Sequence, residues 1–156
     1  MTGARLGRTD SAELFIRAPA ARLFRCWTDS EMLVHWLPPR GMSGRVDVLD
    51  PVPGGPFRMV LTYEDAAIDG KSGGGEDVIA GEFVAVDPPR HLAFVSRFAS
   101  DDPAFQGEMR MDWYFEEEPG GTRVRVVASN VPSGISAEDH AAGIGGSLAQ
   151  LAALCE

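Results

Sequence analysis

The sequence predicts an α+β domain with an antiparallel sheet: one strand, two short helices, six further strands joined as hairpins, and one long C-terminal helix. Three observations carry this reading. Apolar residues alternate with period two in successive runs between Val46 and Asn130. Short proline- and glycine-bearing turns separate those runs. From Ser136 onward the apolar spacing changes to steps of three and four, the period of a helix. Strands segregated from helices and linked by short turns make an antiparallel α+β arrangement.

Ala12 to Ile16 alternates weakly and forms the first predicted strand. Pro19 suits the start of a helix, where its missing N–H is not needed. Ala20, Leu23, Phe24 and Trp27 give that helix one apolar face. Asp29 or Ser30 caps a second helix carrying Met32, Leu33, Trp36 and Leu37, and Pro38 and Pro39 end it. Val46 and Val48, followed by Pro51 and Pro53, read as a short edge strand, because proline is tolerated only there. Gly54 and Gly55 turn the chain into the alternating strand Phe57 to Glu64. Asp69 to Asp77 reads as a flexible connection, and Ser100 to Phe105 as a polar loop.

Strands at Val78 to Val86 and His91 to Phe98 are joined by Asp87-Pro88-Pro89-Arg90. The clearest half-buried strand runs from Glu108 to Glu116, and Pro119-Gly120-Gly121 turns it into a partner over Thr122 to Asn130. Ser136 then caps the last helix, with Glu138 and Asp139 in its first turn and Ile144, Leu148, Leu151 and Cys155 along one face. Gly143, Gly145 and Gly146 interrupt that helix, each at a cost of about 1 kcal/mol relative to Ala. Such a helix needs a large apolar surface to lie on, and its glycines leave either close backbone contact or empty space.

At 156 residues the chain fits one domain, expected over 11–156 after a flexible terminus over 1–10. Fourteen basic against twenty-three acidic residues give a net charge of −9, which argues against nucleic acid or an anionic membrane as partner. No apolar run reaches the length of a membrane span, and no secretory signal is evident, so a cytoplasmic location is expected. Cys26 and Cys155 lack any partner spacing and read as buried structural thiols.

The chemical motifs are few. Gly70-Lys71-Ser72 has Asp65 where a phosphate loop needs its first glycine, and the acidic residues of 69–77 lack the pattern of a calcium loop. His35, His91 and His140 show no metal-ligand spacing, so no metal and no cofactor is expected; His35 and His140 read as helix-surface or rim polarity. No serine or cysteine sits in a nucleophile arrangement. Glu108, Asp112 and Glu116 fall on the polar side of their strand and read as solvated.

Several stretches in this order resemble the helix-grip superfamily of lipid-transfer, aromatase/cyclase and pollen-allergen-like domains. Within it they are similar to the bacterial homologues of the activator of the heat-shock protein 90 ATPase. The stretches are Pro19-Ala-Ala-Arg-Leu-Phe24, Trp27-Thr-Asp29 and Trp36, then Gly54-Gly55-Pro56-Phe57 and Gly81-Glu82-Phe83. Asp87-Pro-Pro-Arg90, Leu92-Ala-Phe94, Phe115-Glu-Glu-Glu118 and Gly120-Gly-Thr-Arg123 complete the set, which runs from about Ala12 to Leu154. The resemblance implies a strongly curved seven-stranded sheet wrapped around the last helix, with a cavity between them. Relatives often carry Gly-Trp early in that helix, where this chain has Gly143-Ile144.

Given such a cavity, strand parity turns Phe57, Met59, Leu61, Tyr63, Phe83 and Phe94 toward the helix, together with Met109, Met111, Trp113 and Phe115. Trp36 is expected to close one end, and Gly143, Ser147 and Leu148 to face the same space from the helix. Tyr63 ends an apolar face and could either orient a ligand or satisfy itself on the protein. The implied function is binding of a small apolar, aromatic or lipid-like ligand. A cyclase- or aromatase-like enzyme using the same cavity, and a chaperone-interacting activator-type module, are the alternatives, and a homodimer is left open.

Overall fold

The computed structural model describes residues 8–39, 41–64, 75–98 and 107–156. Most of the connection from Asp69 to Asp77, including Lys71, lies outside the described residues, as does the loop from Ser100 to Phe105. The elements are β1 (Arg8–Ile16), α1 (Ala20–Thr28), α2 (Ser30–Trp36), β2 (Met42–Leu49), β3 (Pro56–Tyr63) and β4 (Glu76–Asp87). After them come β5 (His91–Phe98), β6 (Met109–Glu118), β7 (Gly121–Val131) and α3 (Ala137–Cys155). The strands form one curved, seven-stranded antiparallel sheet in the order β1-β7-β6-β5-β4-β3-β2. β1 is the first strand in the chain yet pairs with the last, β7, so the sheet's two edges are β1 and β2.

Each helix begins where its capping chemistry puts it. Pro19 occupies the cap of α1 with extended backbone, and Ala20 is the first helical residue. The Asp29 carboxylate accepts the Glu31 N–H at 2.9 Å to start α2. Ser136 Oγ accepts the Asp139 N–H at 3.0 Å to start α3, with two acidic residues in the favourable first turn.

Register irregularities help bend the sheet. Asp47 is an extra residue between the Val46 and Val48 pairings of β2 with β3, and Val84 between the Phe83 and Ala85 pairings of β4 with β5. Bulges of this kind bend a strand and increase its twist. The concave face packs around three tryptophans: Trp27 of α1, Trp36 of α2 and Trp113 of β6, with ring centroids 5.2 to 5.5 Å apart and steep interplanar angles. Edge-to-face pairs like these contribute about 0.5–1.5 kcal/mol each beyond area burial.

β1 starts at Arg8, four residues before the expected Ala12, because its first residues are tied to α3. The Arg8 guanidinium donates to both Asp10 oxygens at 2.9 Å and to the Ile135 carbonyl, and His140 Nδ1 lies 2.7 Å from Asp10 Oδ2. Ile135 and His140 are more than a hundred residues from these partners, beyond the reach of any local pattern.

On the convex face, Asp112 differs from its solvated expectation. It is 7% exposed, held by Arg110 at 3.0 Å and by His91 Nε2 at 2.8 Å. The His91 ring also stacks on Tyr114 at a centroid distance of 4.7 Å. Burial pushes the Asp112 carboxyl up, but the bonds from Arg110 and His91 outweigh it and leave the carboxyl below its ordinary range. Glu108 and Glu116 are exposed as the parity predicts.

Candidate ligand cavity

α3 meets the sheet in two different ways along its length. In its C-terminal half Leu148, Leu151 and Cys155 are buried in the core. Gln150 donates to the carbonyls of Trp36 and Pro38, which satisfies backbone acceptors just beyond α2. The Glu156 carboxylate accepts the Arg17 N–H at 3.0 Å. Buried Cys26 of α1 and Cys155 bring their sulfurs to 3.2 Å as free thiols in contact. Both are buried, unpaired thiols as expected, and their contact joins the first helix to the last.

The N-terminal half is looser. A Cβ built on Gly143, Gly145 or Gly146 would meet nothing within 4 Å. None of these glycines is therefore a site of tight helix–sheet contact; Gly143 and Gly146 are exposed, Gly145 is half-buried, and of the three Gly143 lines the cavity. Beneath Gly143 lies a cavity of about 210 Å³. Its floor is aromatic and thioether: Phe57 of β3, Phe94 of β5, and Met109, Met111 and Trp113 of β6. Trp27 of α1 and Leu61 and Ile79 of β3 and β4 join them, and Ser96 supplies a hydroxyl. His140, Gly143, Ile144 and Ser147 of α3 form the roof, and Leu37 and Pro39 the remaining wall. Pro39, Gly143 and Ser147 also face a surface groove along α3, which places the mouth between that helix and the segment after α2.

Of the residues expected at the cavity, Phe57, Leu61, Phe94, Met109, Met111 and Trp113 of the sheet and Gly143 and Ser147 of α3 line this space. The others lie elsewhere. Met59, Phe83 and Leu148 are packed in the core, and Phe115 meets the Phe24 ring edge-on at 5.6 Å. Trp36 lies behind the lining, where its indole N–H donates to the Cys26 carbonyl at 3.0 Å. Tyr63 turns its hydroxyl to Asp77 at 3.2 Å, so its polar end is engaged by the protein.

Three lining residues carried signals that parity reasoning could have used. Ile79 and Ser96 share the facing of Phe83 and Phe94 along their strands, and His140 precedes Gly143 by one helical turn. Trp27 belonged to the predicted apolar face of its helix, but no sequence pattern placed it at a cavity.

The polar content of the lining is small and specific. Ser96 and His140 supply it; Trp27 and Trp113 are 1% and 2% exposed, and their indole Nε1 atoms, without a hydrogen-bond partner among the described residues, are buried away from the cavity surface. At the roof, the Arg8 guanidinium holds the Asp10 carboxyl below its ordinary range, and His140 adds to the effect against burial. An ionised Asp10 can only accept, so His140 donates from Nδ1 and leaves Nε2 unengaged by Asp10. The imidazole thus lines an apolar cavity with its tautomer fixed by a carboxylate. Among the described residues no three His, Cys, Asp or Glu side chains gather where a metal ion could be held. No described helix is long and apolar enough to cross a membrane.

Comparison with known proteins gives this geometry its relatives. The sequence profile described as Activator of Hsp90 ATPase homolog 1-like protein matches residues 17–156. A solved protein from Chromobacterium violaceum is 27% identical over 95% of this chain and 96% of its own, with a TM-score of 0.85. One from Rhodobacter sphaeroides is 19% identical over 96% and 97%, with a TM-score of 0.78. An AHSA1-like protein from Aeromonas hydrophila is 24% identical over 94% and 90%, with a TM-score of 0.71. The last two likenesses are of fold alone. No curated protein matches the chain.

Proposed function

We propose, for a chain that belongs to the family of Activator of Hsp90 ATPase homolog 1-like proteins, that it binds a small apolar ligand between the sheet and the N-terminal half of α3. The observation that carries the reading is the apolar cavity of about 210 Å³ between the sheet and α3, with Gly143 in its roof. A helix tolerates three such residues only at a propensity cost of about 3 kcal/mol in total, and here no close backbone contact compensates for it. The aromatic and methionine lining suits a ligand with rings and little polarity.

Gly143→Leu tests the reading. A helical side chain leans back over the preceding turn, so the new one would cover the roof near His140. Binding of an apolar fluorescent probe should weaken by on the order of tenfold, about 1.4 kcal/mol. The melting temperature should hold or rise. Unchanged probe binding with a large fall in melting temperature would sink the cavity reading and put a chaperone-interaction module in its place.

A second reading, in which the cavity performs chemistry, is favoured by the Asp10–His140 pair. A carboxylate that fixes the imidazole tautomer, 2.7 Å away, is what a general base in such a cavity would need. Deuterium exchange at the carbon beside the carbonyl of a cyclic ketone, lost in His140→Gln, is its assay.

A further inference from the structure

Four polar side chains are buried among the described residues, and three of them are satisfied by the protein. Asp77 is held by the Tyr63 hydroxyl, Asp112 by Arg110 and His91, and the Thr122 hydroxyl donates to the Ala18 carbonyl at 2.7 Å. Ser96 is the exception. It is 5% exposed, and its hydroxyl makes no hydrogen bond among the described residues. Its place in the sequence is also unusual. Leu92, Phe94 and Ser96 fall on the same side of β5, and the first two are buried apolar residues of the core. Alternation alone would continue the series with another apolar side chain.

The serine instead lies in the cavity wall, opposite Met109 on the neighbouring strand and in the same lining as Phe94 and Met111. Unlike the indole nitrogens of Trp27 and Trp113, its oxygen is not sealed off by protein atoms, so the hydroxyl is presented to the cavity. A hydroxyl kept from both protein and bulk water is costly until it meets a partner. A water molecule would need two or more polar partners to stay there, and Phe94, Met109 and Met111 provide none. A ligand can bring its own partner atom.

Size and charge narrow what that ligand is. An apolar cavity of about 150 Å³ holds benzene, so the 210 Å³ here suits one ring or two fused rings and not an extended lipid chain. The described lining contains no Lys or Arg, so a carboxylate or phosphate would lose its hydration with no cation to receive it. We infer that Ser96 is the specificity-determining residue of the cavity, and that the site selects a neutral, compact ring system bearing one hydroxyl or carbonyl oxygen that pairs with the Ser96 hydroxyl. Serine both donates and accepts, so either oxygen function satisfies it. This inference rests on the proposed binding function and adds the chemistry of what is bound.

Matched probes separate the two claims. Naphthalene and 2-naphthol share a frame and differ by one hydroxyl, and tetralin and α-tetralone differ by one carbonyl. Each probe is titrated calorimetrically into the full chain and into Ser96→Ala. The variant loses an oxygen and keeps the frame, so both hydrocarbons should bind it as they bind the parent. The affinity ratio of oxygen-bearing probe to hydrocarbon should fall about five- to tenfold from parent to variant, about what one net hydrogen bond contributes. Comparing ratios cancels the hydration of the probes themselves, and the pair that loses its preference identifies the oxygen function. Because the hydroxyl has no partner in the protein, the variant should melt at or above the parent temperature, whereas a structural role would lower it. Ratios unchanged for both pairs, or tighter binding of 2-naphthoate than of 2-naphthol to the unaltered protein, overturn the inference while leaving the cavity reading intact. Failure of naphthalene and tetralin to bind the parent removes the cavity reading, and this inference with it.

Discussion

Replacing Gly143, Gly145 and Gly146 together by Ala is the most direct way to ask what the α3 glycines do. A Cβ at each position meets nothing within 4 Å, and none of the three has the positive φ that would strain an L side chain. Overpacking and backbone strain are therefore both absent, which leaves helix propensity and the entropy of the unfolded chain to set the sign. Each change should stabilise by about 1 kcal/mol, and with no shared partners the three should nearly add, to about 3 kcal/mol. For a chain of this size each kcal/mol raises the melting temperature by about 2–4 °C, so the triple variant should melt about 6–12 °C higher. Differential scanning calorimetry on parent and variant reads this directly. A methyl at Gly143 also narrows the mouth far less than a leucine would, so probe affinity should change little. A triple variant that melts at or below the parent temperature would refute the reasoning, because it would mean that the glycines face packed atoms after all.

Two further outcomes follow from the buried polar groups. Burial, with the Cys155 contact, pushes the Cys26 thiol up to about 12; since only the thiolate is reactive, Ellman's reagent should modify it slowly in the native protein and quickly in denaturant, and rapid native modification would contradict the packing. Asp10 has a folded pKa held below its unfolded value of about 3.9. Its stabilising contribution is therefore complete above that value and is lost as pH falls through the folded pKa, so Asp10→Asn should flatten the acid side of a stability–pH curve below about pH 4; a variant with the parent's acid dependence would disprove it.

The sheet was legible because alternation is a local property. Phe57, Met59 and Leu61, or Met109, Met111 and Trp113, declare their common face within a few residues, and hairpin turns then leave little freedom in strand order. The position of the cavity on that face was not legible. Parity tells which side of the sheet a residue occupies and not what lies above it, so Met59 and Phe83 in the core looked the same as Phe57 and Phe94 at the cavity. Long-range polar contacts were equally hidden. Asp10 read as part of a loose terminus and His140 as rim polarity, yet they meet at 2.7 Å across the sheet edge. The Cys26–Cys155 contact is of the same kind, joining the first helix to the last through packing alone.

The division of α3 explains why its poor helix propensity is tolerated and what it achieves. Leu148, Leu151 and Cys155 bury the second half, and Gln150 and Glu156 fasten it to the segments after α2 and β1. That half can hold the helix in place while the first half contributes little: its buried apolar side chain is Ile144, and its anchors are the Ser136 cap and the Asp10–His140 bond. Local opening draws on the least stable part of a structure. Along α3 the half with fewer buried side chains is also the one that carries Gly143, which borders the cavity. The first half of α3 is therefore the segment expected to fray first and to admit a ligand, while the tryptophan cluster below keeps its geometry. Filling the helix with alanine would strengthen the segment that has to move, so the rate of probe entry should fall even where equilibrium affinity does not.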